Sequence, residues 1–100
     1  MYQLCYLEQA KADLIQIKRY ISEGSGSNEL AVGYTEKLRQ QCRELAGLPG
    51  TMGRARPELA EGVRSLPYGN YVILFRYNGS FVEIISIIEG HRDIEEMFHL

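Results

Sequence analysis

The chain has no tryptophan, only two cysteines and two histidines, and three prolines in 100 residues. Cys5 and Cys42 lie far apart with no C-x-x-C spacing, so both read as buried reduced thiols rather than a disulfide or a metal pair. His91 and His99 alone cannot furnish a histidine-rich zinc site; no metal and no cofactor is expected. No apolar run approaches the ~20 residues of a membrane-crossing helix. The N-terminal MYQLCYLEQAKADL lacks the charged-then-apolar layout of a signal peptide, so the expected location is cytoplasmic, with no membrane partner. A basic excess is missing too. The net charge of −2 argues against binding DNA or RNA through phosphates and for a protein partner. His91-Arg92-Asp93 spells the catalytic triplet of a protein kinase, but there is no G-x-G-x-x-G and no DFG. Phe98 stands where the metal-binding asparagine of such a loop belongs.

What is present is globular. Apolar residues make up 45%, with seven tyrosines and three phenylalanines, and the length suits one domain over residues 1–100. Residues 2–7, YQLCYL, read as a first strand. Over 8–22, Ala10, Leu14, Ile17 and Ile21 recur at three- and four-residue steps and make one apolar helix face. The GSGS at 24–27 ends this helix, and Ser27 or Asn28 caps a second one over 28–47 with the stripe Ala31, Tyr34, Leu38, Cys42 and Leu45. The short break predicts an antiparallel helical hairpin. Residues 47–62 hold four of the ten glycines and two prolines and read as loop, with room for one helical turn in PELAEG. Three apolar runs follow, at 63–69, 70–77 and 80–90, separated by Tyr68-Gly69-Asn70 and Asn78-Gly79. Asn-Gly between strand-like runs is a strong hairpin signal. The fold class is therefore α+β: an N-terminal strand and a helical hairpin packed on a mainly antiparallel sheet of three or four strands. The tail after residue 90 has room for one helical turn.

Assembled in order, ADLIQIKRYI, LAGLP-x-x-GRARPEL, GVRSLPYGNYVILFRY and EIISIIEGHRD resemble the ParE branch of the RelE/ParE toxin superfamily. The resemblance spans almost the whole chain. It implies the toxin half of a type II toxin–antitoxin pair, with the HRD triplet as a strand terminus. ParE-like members are associated with poisoning DNA gyrase, RelE-like members with cutting messenger RNA in the ribosome. The resemblance further implies a cognate, ParD-like antitoxin, whose flexible C-terminal segment lies across the toxin as a helix or added strand, and leaves higher-order toxin–antitoxin oligomers open. Sequence-specific DNA binding by the toxin itself is not expected.

The residues discriminate between the two branches. Metal-independent RNA cleavage needs a proton acceptor at the 2′-OH, a proton donor to the leaving oxygen, and cations around the phosphorane. RelE-like enzymes fill these roles with Lys, Arg and a C-terminal Tyr or His. Here Lys11, Lys18 and Lys37 fall in the helices, and Phe98, which cannot carry a proton, occupies the region of the C-terminal Tyr. The ribonuclease alternative would rest on Arg64, Arg92 and His99. The favoured reading is a non-enzymatic gyrase poison, with Arg54, Arg56, Arg64, Arg76, Arg92 and Phe98 as antitoxin or target contacts, and residues 93–100 carrying toxicity. The bland alternatives are specific as well. Arg54 and Arg56 pair with Glu58 and Glu61, Arg64 and Arg76 are outward structural charges, His91 caps or packs, and Tyr68 and Tyr71 pack across strands.

Overall fold

The computed structural model of the protein describes residues 2–48 and 51–90. The elements run β1 (Gln3–Tyr6), α1 (Glu8–Ser25), α2 (Asn28–Gly47), β2 (Arg54–Ala55), β3 (Arg64–Tyr68), β4 (Tyr71–Asn78) and β5 (Phe81–Glu89). The five strands form one sheet in the order β1-β5-β4-β3-β2, all neighbours antiparallel except β1 and β5. The expected α+β layers are present. The additions are a two-residue edge strand inside the segment read as loop, and the parallel placement of β1 beside β5; the hairpin α1–α2 carries the chain from β1 at one edge of the sheet to β2 at the other. PELAEG forms turns rather than a helix, closed by Leu59 N–H to the Arg56 carbonyl and Val63 N–H to the Ala60 carbonyl.

Helix α1 runs three residues past the predicted end. Gly24 stays helical, and Gly26, at φ 71°, takes the left-handed position that closes the helix through its N–H to the Ser22 carbonyl. Ser27 is the cap of α2: its Oγ accepts from the Leu30 N–H at 3.2 Å. Both helices lay their stripes on one sheet face. Leu14, Ile17, Leu38, Cys42 and Leu45 meet Ile73, Phe75, Val82, Ile84 and Ile87, all nearly inaccessible to solvent. Burying each such side chain contributes on the order of 1.5–3 kcal/mol before entropy is counted. The opposite face carries a smaller cluster, Val72 and Leu74 with Leu59, Ile85 and Ile88 packed against them.

A register shift separates the two halves of the β4–β5 ladder. Phe75 pairs with Ile84 but Leu74 pairs with Ser86, so Ile85 is an extra residue. This bulge turns Ser86 toward α1, where its hydroxyl donates to Asp13 Oδ2 at 2.6 Å, and the Ile87 N–H donates to the same oxygen at 2.9 Å.

Cys42 is fully buried beside Tyr6, and Cys5 is half-buried. Burial pushes the Cys42 thiol up to about 11 and drives the Tyr6 hydroxyl up further. The expected outcome with dithiobis-nitrobenzoate at about pH 8 is one fast thiol, Cys5, and one that reacts only on unfolding, Cys42. Thiol counting in native and denatured protein checks this.

Candidate functional site

The candidate arginines sit on and around the β2–β3–β4 side of the sheet, and strand alternation sorts them by face. Arg64 pairs with Phe75, so it projects toward the helix side; Arg54 pairs with Ser65, and Ser65 with Leu74, which puts Arg54 on the opposite face. Arg76 pairs with Glu83 on that same opposite face. Arg56 follows β2 and reaches Ser65. Three of the four described candidates thus share the face away from the helices, and Arg64 does not.

Arg64 holds a loop. Its Nε donates to the Met52 carbonyl at 2.7 Å and its Nη2 to the Gly53 carbonyl at 2.9 Å. Met52 is fastened a second time, through its N–H to Tyr77 Oη at 2.9 Å, and the Arg56 N–H closes the far side of the loop on the Val63 carbonyl at 2.8 Å. Tyr77 is itself wedged between Tyr2 and Phe75, with ring centroids 4.7 and 5.8 Å away. The loop carrying Arg54 and Arg56 is therefore anchored to the core rather than loosely solvated. Arg64 is partly exposed, and its guanidinium is bonded to main chain of this loop.

The other arginines differ in how far they are committed. Arg56 is largely buried, its side chain 18% exposed, donating from Nε to Ser65 Oγ at 2.9 Å and from Nη1 to Glu58 at 3.4 Å. The Glu58 pairing foreseen in the sequence is present; among the described residues Glu61 makes no such contact. Arg76 binds Glu83 at 2.6 Å, and this bond holds the Glu83 carboxyl below its usual range. Arg54 is exposed, and its side chain makes no hydrogen bond or ion pair among the described residues. Of the four described candidates, Arg54 is thus the one most available to an incoming partner. Arg92, Phe98, His91, His99 and the segment 93–100 lie outside the described residues.

Tyr68 and Tyr71 are directly cross-strand, and both meet Tyr34 edge-on, at 6.1 and 5.8 Å. Both rings thus pack against one helix tyrosine. Among the described residues no group of three His, Cys, Asp or Glu side chains is placed to hold a metal ion, and no helix is long and apolar enough to cross a membrane.

Sequence reasoning passed over Asp13. Its Oδ1 accepts from Gln9 and its Oδ2 from the β5 bulge, tying α1 to the sheet. The signal was available: position 13 lies three after Ala10 and four before Ile17, on the margin of the buried stripe.

Residues 4–94 match the protein family described as ParE toxin of type II toxin-antitoxin system, parDE. Among solved structures the chain is similar to one titled "Chromosomal ParDE TA system from P. aeruginosa", at 26% identity and a TM-score of 0.76, with 91% of this chain and 98% of that one covered. No curated protein sequence matches.

Proposed function

The chain belongs to the ParE toxin family of type II toxin–antitoxin systems, and from that membership we propose that it inhibits DNA gyrase by protein–protein contact and is held inactive by a cognate, ParD-like antitoxin. The location of this activity is the cytoplasm. The observation that carries the contact reading over RNA cleavage is the state of the arginines. A ribonuclease site needs guanidinium groups free to meet a phosphorane. Arg64, the central cation of that alternative, instead donates from two of its nitrogens to the Met52 and Gly53 carbonyls. Arg76 is neutralised by Glu83, and Arg56 by Glu58. What this side of the sheet offers is a firmly held loop presenting Arg54, which suits recognition.

The antitoxin follows from the same surface. Among the described residues β2 pairs only with β3, so its outer side is there a short open edge beside Arg54, fit for an added strand with acidic side chains. A flexible segment that orders on binding needs a large contact to offset its entropy, and an edge flanked by arginine supplies one end of it.

The test mixes purified toxin with gyrase, ATP and plasmid, and in parallel with translating ribosomes and mRNA. The expected result is linear plasmid only when gyrase and toxin are both present, intact mRNA, and loss of the effect on adding antitoxin. Cut mRNA with untouched plasmid overturns the reading and returns Arg64, Arg92 and His99 to consideration as a catalytic set. Within the same assay, Arg54→Glu is expected to raise the toxin concentration needed for half-maximal effect at least about tenfold, or to weaken antitoxin binding as much, at unchanged thermal midpoint. Full activity and full antitoxin affinity in that variant would remove Arg54 from the interface.

A further inference from the structure

A second recognition feature lies on the helix-bearing side of the sheet, away from Arg54. A groove of about 220 Å³ runs between α1 and the ends of β4 and β5, walled by Asp13, Ile17, Tyr20, Tyr71, Ile87 and Glu89. It is smaller than the ~300–1,000 Å³ of ordinary small-molecule sites, and is the size of a single long side chain. Among the described residues its charge has one sign: Asp13 and Glu89 contribute carboxylates, and no lysine or arginine lines it. Neither carboxylate is ion-paired among the described residues. Asp13 Oδ1 accepts only from Gln9 and keeps acceptor capacity on the groove side.

Tyr71 supplies an independent observation. The residue is 7% exposed, and its hydroxyl has no hydrogen-bond partner among the described residues. Among the described residues no fully buried polar side-chain atom lacks a partner, so this hydroxyl keeps some solvent access, and the residue lines the groove. Cross-strand pairing puts Glu89 directly beside it. Burial first, then Glu89 and the Tyr34 and Tyr20 hydroxyls, raises the Tyr71 pKa, which keeps it a neutral donor and acceptor. Tyr20 stands at the rim, 66% exposed, an unusually open position for a large aromatic side chain.

We propose that this groove takes an arginine side chain presented by a protein partner. The aliphatic stem would lie on Ile17 and Ile87, and the guanidinium between Asp13 and Glu89, stacked on Tyr20 with Tyr71 Oη as a further acceptor. A planar guanidinium, weakly hydrated and able to pair with carboxylates while stacking on a ring, fits these walls better than an ammonium. The site does not depend on the gyrase reading, since Arg54, Arg56 and Arg76 occupy the other face of the sheet.

The test is an NMR titration of the full-length, antitoxin-free chain with N-acetyl-arginine amide, set against N-acetyl-citrulline amide, its uncharged isostere, and spermidine, a cation with no guanidinium. The expected result is saturable shifts at Tyr20, Ile87 and Glu89 with the arginine amide, at a Kd on the order of millimolar. The citrulline and spermidine probes should bind at least about tenfold more weakly. Glu89→Gln, on an exposed side chain, and Tyr71→Phe should each weaken the arginine amide about fivefold without moving the thermal midpoint. Equal binding of citrulline or spermidine, or an undiminished response in Glu89→Gln, overturns the proposal. A response that appears only in Arg92→Gln overturns it too, because the groove would then serve the chain's own arginine.

Discussion

Gly53→Ala will destabilise the protein by about 3 kcal/mol, whereas Gly79→Ala will cost only about 1. Both glycines have left-handed backbones, at φ 75° and 61°, so both variants carry the strain of an L-residue there. They differ in what a Cβ would meet. At Gly79 there is nothing within 4 Å; at Gly53 the Ser65 carbonyl oxygen lies at 2.6 Å and Phe75 Cζ at 2.8 Å. Neither obstacle can yield. Ser65 is buried and paired on both sides, with Arg54 and Leu74, and Phe75 is a fully buried core ring. The alanine must therefore push the loop outward, which breaks the Arg64 bonds to Met52 and Gly53. In a domain of this size the predicted loss lowers the thermal midpoint by roughly 12–24 °C. Function should follow the loop. At temperatures where the variant remains folded, displacement of Arg54 should cost the proposed gyrase inhibition in Gly53→Ala and leave Gly79→Ala close to wild type. Thermal melts beside the plasmid assay separate the two effects. Equal midpoints for the two variants would show that the loop is not anchored through Gly53.

The elements that could be read in advance are those whose signals are local. The stripes at 10, 14, 17 and at 31, 38, 42, 45 follow from helical spacing, and Asn78-Gly79 marks a hairpin because the turn dictates its residues. What could not be read depends on partners distant in sequence. Arg54-Ala55 carries no strand signal; it becomes a strand because Arg64 and Tyr77 hold Met52 and Gly53 beside β3. The parallel pairing of β1 with β5 joins residues nearly eighty positions apart. The same limit governs the site. Alternation about buried Val63 and Ser65 turns Arg64 to the other face, but only the fold shows that two carbonyls await it there. The arginines of the GRARPEL loop were visible as a group. That Arg56 is committed and Arg54 open is a fact of packing.

Asp13→Ala should be about as damaging as Gly53→Ala, for an unrelated reason. The carboxylate takes two bonds from the β5 bulge: the Ile87 N–H donates to Oδ2 at 2.9 Å, beside the Ser86 hydroxyl at 2.6 Å. Hydrogen bonds to a charged acceptor contribute about 1.5–3 kcal/mol each in partly buried surroundings, and an orphaned buried N–H costs about 1–3. The exposed Gln9 bond adds little. A loss of at least about 3 kcal/mol is expected, read as a lower urea midpoint at unchanged slope. Asp13→Asn should lose about half as much, since its one amide oxygen can still accept from the Ile87 N–H while the opposing NH₂ adds no acceptor. Ser86→Ala, which leaves the Asp13–Ile87 bond in place, should cost less than Asp13→Ala. Amide exchange at Ile87 gives the decisive reading. It should accelerate strongly in Asp13→Ala, partially in Asp13→Asn and little in Ser86→Ala. Unchanged protection of that amide in the alanine variant would mean that the bulge holds itself, and that Asp13 serves only the groove it borders.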